Sequence, residues 1–300
     1  MKELSYHQVN INGEIVPADS AKISVFDHGF LFGDSIYEVT RTYDQKILFM
    51  DAHLDRLFNS AALIELPMIK FSKKSIELEV NKTLTALHKY NPKIMNAYIR
   101  IMLTRGVGEM GIDPDVISDP NLIIIAKEFR PFTDEWYEKG AAVIIAKTLR
   151  NHVNAVNPNI KSGNYLNNIF AYMEAKKANV YDAILLNEKG IVTEATTSNV
   201  WMIKDGVICT TPVSTGILSG ITRNFLIDCI KKNQLPFEER EFSVSELKAA
   251  SEVFFTSSLK ELVPITRIDN VVISGGKMGA MTSQLRSLYQ REIKVVLYNK

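Results

Sequence analysis

The chain is poor in everything that would tie it to an oxidising compartment, a metal or a highly charged partner. Its two cysteines, Cys209 and Cys229, form neither a disulfide framework nor a metal-binding spacing, so two reduced thiols are expected. The five histidines (His7, His28, His53, His88 and His152) include no pair at ligand spacing, and no metal site is expected. Neither sign of charge dominates. The 35 Lys and Arg against 34 Asp and Glu leave a net charge of +1, which removes the electrostatic case for a nucleic acid or a membrane surface. No apolar run approaches the roughly 20 residues of a membrane helix. Met1-Lys2-Glu3-Leu4 leads into no apolar signal segment, so a cytoplasmic protein is expected. There is no internal repeat or low-complexity stretch. What remains is globular: 300 residues, 46% hydrophobic and 23% charged, enough for one large domain or two ordinary ones.

Against this plain background one stretch stands out, Asn159-Ile160-Lys161-Ser162-Gly163-Asn164-Tyr165. It is a polar turn that puts a lysine just ahead of a helical pattern. Leu166, Ile169, Phe170 and Met173 recur at i, i+3, i+4 and i+7, which predicts a helix burying that face. A lysine held there can lose solvation and act as an amine nucleophile, or can be an ordinary surface residue.

Other groups share the chain with it. Residues 8–16 read as a hairpin turning at Asn12-Gly13. In the strand Ser35–Tyr43, alternation sets Tyr37, Val39 and Arg41 on one face and Ile36, Glu38 and Thr40 on the other. A helix capped by Asp51 carries the stripe Leu54, Leu57, Phe58 and Ala61, with Arg56 off it. In the strand 96–104, Tyr98 and Arg100 share a face, where guanidinium and phenol could receive a carboxylate or simply face solvent. A linker is expected at residues 129–138, separating a small domain over 1–128 from a larger one over 139–300 that carries Lys161. In that second part residues 192–200 read as strand, with Glu194 beside Thr196, Thr197, Ser198 and Asn199. Gly220, Ile221 and Thr222 open a helix over 224–231, where N–H groups, a hydroxyl and the dipole suit an anion, or where the glycine is only a cap. A closing helix is expected near 278–289. An amine, a carboxylate, an anion seat and a nearby tyrosine are the groups that pyridoxal phosphate needs.

In this order the motifs resemble those of the class IV aminotransferases, the fold type IV pyridoxal-phosphate enzymes. The resemblance covers nearly the whole chain. It rests on Phe32-Gly33-Asp34, Tyr37-Glu38, His53-Leu54-Asp55-Arg56-Leu57, Ala97-Tyr98-Ile99-Arg100, Ile160-Lys161-Ser162 with Asn164-Tyr165-Leu166, Glu194 through Asn199, Gly220-Ile221-Thr222-Arg223, and Glu261 with Pro264. It implies a two-domain α/β (α+β) fold of the D-amino-acid-aminotransferase-like kind and a homodimer or higher homo-oligomer. It also implies pyridoxal 5'-phosphate bound through Lys161, with Glu194 on the ring nitrogen and Tyr165 on the phenolate oxygen. Arg56, Ile221, Thr222 and Ser258 would hold the phosphate, Leu218 would pack on the ring, and Tyr37, Arg41, Tyr98, Arg100 and Leu259 would surround the substrate.

The expected reaction is amino transfer from L-amino acids, of the branched-chain type, to 2-oxoglutarate. Tyr98 and Arg100, and the loop Gly108 through Ile112, match the branched-chain enzymes. Val39 in Tyr37-Glu38-Val39, and the run Thr196-Thr197-Ser198-Asn199, match the D-amino-acid aminotransferases, which stay open as the alternative. Aminodeoxychorismate lyase is a further alternative, set back because Glu38 and Val39 stand in the place of that enzyme's threonines. A non-catalytic α/β binding protein is the reading from a different class; joint retention of Lys161, Glu194 and Tyr165 speaks against it.

Overall fold

The structure, a computed structural model, describes residues 7–117 and 119–298. The chain separates into two compact units, one of Met1–Pro131 with Ile160–Asn164, the other of Phe132–Asn159 with Tyr165–Lys300.

The first unit is built on a six-stranded sheet: β1 (Gln8–Ile11), β2 (Glu14–Pro17), β3 (Ser35–Tyr43), β4 (Lys46–Ile47), β5 (Ala97–Thr104) and β6 (Asn121–Glu128), in the order β2-β1-β6-β5-β3-β4. The β1–β2 turn sits at Asn12-Gly13, where both residues take positive φ (53° and 92°), as an Asn-Gly hairpin turn requires. A one-turn helix α1 (His28–Leu31) lies in the glycine-punctuated loop before β3. Helices α2 (Met50–Leu63) and α3 (Lys73–Tyr90) cover one face of the sheet. There Leu54, Leu57, Ile76, Val80, Leu84 and Leu87 meet Ile36, Ile99, Ile101 and Ile124 in a dry core. α2 starts two residues earlier than expected. Phe49, at φ 55°, occupies the N-cap position with no side-chain cap bond, so Asp51 lies inside the first turn, where it meets the positive end of the helix dipole.

The strand β4 is only two residues long and pairs with β3 at Thr42 and Tyr43 alone. The N-terminal half of that edge of β3 is completed by a segment far along the chain. Ile36 bridges Ser162, the Tyr37 N–H donates to the Lys161 carbonyl (2.9 Å), and the Gly163 N–H donates to the Ser35 carbonyl (2.8 Å). Backbone pairing of this kind places Ile160–Asn164, Lys161 included, in the first unit, whereas the sequence puts it in the 139–300 domain.

The second unit holds helices α4 (Asp134–Lys139), α5 (Leu166–Lys177), α6 (Ile221–Lys232), α7 (Val244–Lys248) and α8 (Ala280–Tyr298). Its strands are β7 (Ala141–Ile145), β8 (Asp182–Leu186), β9 (Val192–Ala195), β10 (Asn199–Lys204), β11 (Val207–Thr210), β12 (Phe237–Glu239), β13 (Glu252–Ser257), β14 (Glu261–Ile268) and β15 (Val271–Val272). They form one sheet in the order β12-β11-β10-β13-β14-β7-β8-β9, with β15 on β14. β9 pairs with β10 as well as with β8, so six of the strands close into a ring, and the closing pair is Glu194 with Asn199.

Five expectations change here. Residues 192–200 are a hairpin turning at Thr196–Ser198, not one strand. The expected linker contains α4, started by a Thr133 side chain that accepts the Trp136 N–H. α6 begins at Ile221, directly after Gly220, and α8 spans 280–298. The largest change is in α5: Leu166, Ile169, Phe170 and Met173 are 65%, 45%, 52% and 47% exposed. The helix instead buries Asn168, Ala171 and Ala175, and these alanines pack with Ala183 and Leu185 of β8. That second stripe also has helical spacing, and small residues let the helix lie close on the sheet.

Candidate active site

In the first unit three polar residues of α2 fall on one line. His53, Arg56 and Ser60 are spaced i, i+3 and i+7, so they share a helix face. Opposite them on β3 is Glu38, which lies on the helix-covered side with Ile36 and is fully buried. Arg56 Nε donates to Glu38 Oε1 at 2.6 Å and Arg56 Nη2 to Glu38 Oε2 at 2.8 Å. The His53 Nδ1–H donates to Glu38 Oε2 at 2.7 Å; a carboxylate can only accept, so Nδ1 carries the hydrogen. Burial alone would raise the Glu38 pKa, but the Arg56 charge and hydrogen bonds, helped by His53, outweigh it and hold the carboxyl well below its ordinary value. Ser60, at the far end of the line, accepts the Lys161 backbone N–H (3.2 Å). β3 and α2 therefore fix both Lys161 and Arg56.

The opposite face of the same sheet carries cations on aromatic rings. The Lys161 ammonium lies 4.6 Å from the Tyr37 ring centroid and the Arg100 guanidinium 3.8 Å from it. The buried Arg41 lies 3.9 Å over Tyr43 and 4.9 Å from Phe129, and Lys127 5.3 Å from Tyr98. Register aligns Val39 with Arg100 and Arg41 with Tyr98, so all four of these side chains share that face, beside Met102 and Ile125. The expected substrate residues Tyr37, Arg41, Tyr98 and Arg100 are thus brought together around an apolar strip.

In the second unit the site is built at the closing pair of the strand ring. Glu194 is buried, and its Oε1 takes Arg150 Nη2 at 2.8 Å while its Oε2 accepts the Leu218 N–H at 3.0 Å. Asn199 Nδ2 stands 3.5 Å from Glu194 Oε2 and donates to the Leu218 carbonyl at 2.9 Å. Arg150 is held from behind by the first turn of α5, through Asn167 Oδ1 (3.1 Å) and Asn168 Oδ1 (3.4 Å).

Gly220 is the N-cap of α6, and no side chain among the described residues caps that helix. A Cβ at Gly220 would lie 2.0 Å from Asn199 Oδ1, so only glycine lets the helix start this close to the Glu194 pair. Ile221 and Thr222 are buried, and the Thr222 Oγ1 has no hydrogen-bond partner among the described residues. A buried hydroxyl without a partner, at the positive end of a 12-residue helix, suits a phosphate. Ser258 and Leu259 are half-buried in the turn between β13 and β14, and Tyr165 is the half-buried N-cap of α5. No group of His, Cys, Asp and Glu able to hold a metal occurs among the described residues.

Three contributors escaped sequence reasoning. Glu38 and His53 lie inside quoted motifs without a role, although a charge on the Ile36 side of β3 signals a buried partner. Arg150 left one trace, a single arginine within the asparagine-rich run that leads to Lys161.

A family model described as amino-transferase class IV matches residues 35–268. A putative branched-chain-amino-acid aminotransferase of Methanocaldococcus jannaschii is 36% identical over 285 residues, 94% of this chain and 95% of its own length. A D-alanine aminotransferase of Listeria innocua is also 36% identical, over 288 residues, 95% of this chain and 96% of its own. Among solved structures, a branched-chain amino acid aminotransferase of T.th. complexed with N-(5'-phosphopyridoxyl)-L-glutamate matches with a TM-score of 0.87 at 28% identity, over 95% of this chain and 93% of that one. The same protein complexed with 4-methylvaleric acid matches with a TM-score of 0.86 at the same identity and coverage.

One consequence of the site's electrostatics is measurable without any ligand. Burial lowers the His53 pKa from 6.5; Glu38 opposes the shift, while Arg56 and Lys161 add to it. Below pH 6.5 the unfolded chain takes up a proton that the folded chain refuses, so stability falls as pH drops from 6.5 toward the lowered folded value. Urea midpoints measured between pH 7 and about 5.5 should fall less steeply in a His53→Asn variant than in the parent. An unchanged slope would mean that His53 is protonated at no cost.

Proposed function

The chain belongs to the class IV aminotransferases, pyridoxal-phosphate enzymes of fold type IV, and we propose that it moves the amino group of branched-chain L-amino acids to 2-oxoglutarate. The observation that carries this reading is the face of the first sheet opposite α2 and α3. Val39, Met102 and Ile125 offer an apolar strip, and Arg100 stacks on Tyr37 at its border. Such a face can take an aliphatic side chain. It can also take the distal carboxylate of glutamate once the guanidinium turns from the ring, since arginine has an apolar stem and a forked head. The related enzyme's complexes with an L-glutamate derivative and with 4-methylvaleric acid support both halves of this choice. A D-amino-acid aminotransferase is the second reading, favoured by Val39 and by the equally similar D-alanine aminotransferase.

The cofactor, when bound, supplies an electron sink that makes the substrate Cα proton removable. Lys161 is the amine that binds it covalently and the base that takes and returns that proton. Glu194, held by Arg150 and the Leu218 N–H, accepts from the ring nitrogen, while Leu218 packs on the ring and Tyr165 donates to its phenolate oxygen. Arg56, the Ile221 and Thr222 N–H groups, the Thr222 hydroxyl and Ser258 bind the phosphate. Tyr98 and the turn at Leu259 take the α-carboxylate, Arg100 the distal one, and Tyr37 and Arg41 border the side chain. The active molecule is a homodimer, a reading supported by the exposed apolar stripe of α5.

Lys161→Ala should remain folded and lose transamination by at least ~10³-fold, the scale of general-base and covalent catalysis; near-parental turnover would remove the assignment of Lys161. In an amino-donor panel with 2-oxoglutarate, L-leucine, L-isoleucine or L-valine should turn over faster than any D-amino acid. Arg100→Ala should raise the KM for 2-oxoglutarate by about tenfold, the loss of one charge-assisted contact, and that for branched-chain 2-oxo acids much less. Faster turnover of D-alanine or D-glutamate would move the assignment to the second reading. Ile169→Glu combined with Phe170→Glu should shift the sedimenting species from dimer to monomer; a parent that already sediments as a monomer would refute the dimer.

A further inference from the structure

Glu38 is fully buried and charged, yet no step of the proposed reaction uses it. Its carboxylate takes the Nε–H and an Nη2–H of Arg56, at 2.6 and 2.8 Å, and the Nδ1–H of His53 at 2.7 Å. A guanidinium gripped along its Nε/Nη2 edge has its plane fixed, and the direction of its remaining donors is fixed with it. His53 serves the same carboxylate. Its ring is buried and held toward the neutral form, so it steadies Glu38 with a hydrogen bond without competing for charge with Arg56. The two elements that supply these groups also hold Lys161, through the Ser60 hydroxyl and the Tyr37 N–H.

We propose that Glu38, backed by His53, is a positioning residue that aims Arg56 at the cofactor phosphate and sets the seat of that phosphate relative to Lys161. The proposal rests on Arg56 being a phosphate ligand. Its rival is simple electrostatics. If Glu38 only neutralised Arg56, its negative charge would weaken phosphate binding and its removal would tighten it. Positioning predicts the opposite sign.

The experiment compares two probes on the full chain freed of cofactor: pyridoxal phosphate, and pyridoxal, which lacks the phosphate. Affinities are read from the absorbance of the bound compound. Glu38→Gln should raise the Kd for pyridoxal phosphate by about tenfold, the size of one charge-assisted hydrogen bond, and leave the Kd for pyridoxal within about twofold. His53→Asn should do the same to a smaller degree, about threefold, because Arg56 keeps its own two hydrogen bonds to Glu38. In an Arg56→Ala background Glu38→Gln should add nothing, because its effect passes through that arginine.

Equal losses for both probes would overturn the proposal by showing a general packing effect, and an unchanged or tighter pyridoxal-phosphate Kd would overturn it in favour of neutralisation. Should Glu38→Gln not fold, His53→Asn carries the test by the same phosphate-selective criterion. An Arg56→Ala variant with parental affinity would instead remove the phosphate role of Arg56, a failure distinguishable from that of Glu38 because it appears with Glu38 intact.

Discussion

The first unit depends on an edge that its own neighbouring strand leaves unfinished. β4 pairs with the last two residues of β3 and no more, and the donors and acceptors at Ser35 and Tyr37 meet the backbone of Lys161 and Gly163. Buried main-chain groups left without partners cost on the order of 1–3 kcal/mol each, so this pairing is strongly favoured. Its by-product is chemical. A lysine is fastened by its own N–H and C=O between α2 and β3, and only its side chain is left to move.

In both units the charges are arranged in held pairs. Arg56 lies on Glu38, Glu194 lies on Arg150, and Arg41 and Arg100 lie on aromatic rings. Taking an ion out of water costs several kcal/mol unless it is paired and hydrogen-bonded. Each buried charge therefore brings a supporting group, and the supporting group fixes direction as well as cost. Asn167 and Asn168 do for Arg150 what His53 does for Glu38. The closure of the strand ring at Glu194 and Asn199, and the absence of a Cβ at Gly220, bring the start of α6 to that same carboxylate.

Much of this is legible in the sequence wherever one period decides the answer. β3 spans the expected residues, and alternation correctly puts Tyr37, Val39 and Arg41 on one face with Tyr98 and Arg100 beside them. The Gly-Ile-Thr helix start is readable from capping chemistry. Periodicity shows which residues share a face but not what covers that face. Hence it predicts burial for the apolar stripe of α5, while the stripe of Asn168, Ala171 and Ala175 does the packing. Pairings between distant residues leave no local trace, so the partners of Glu38 and Glu194, and the attachment of residues 160–164 to β3, emerge only in three dimensions. The 192–200 hairpin escapes notice because its turn, Thr196–Ser198, has neither glycine nor proline to punctuate it.

The attachment of Ile160–Asn164 to β3 also bears on how such a gene can be cut and rejoined. The first unit is not a continuous stretch of sequence, since five of its residues are encoded after the second unit has begun. A single crossover near residue 131 that joined this N-terminal part to a relative's C-terminal part would give β3 a foreign edge and a foreign lysine segment. Inheritance in one piece is the route that keeps Ser60, Tyr37 and Lys161 matched.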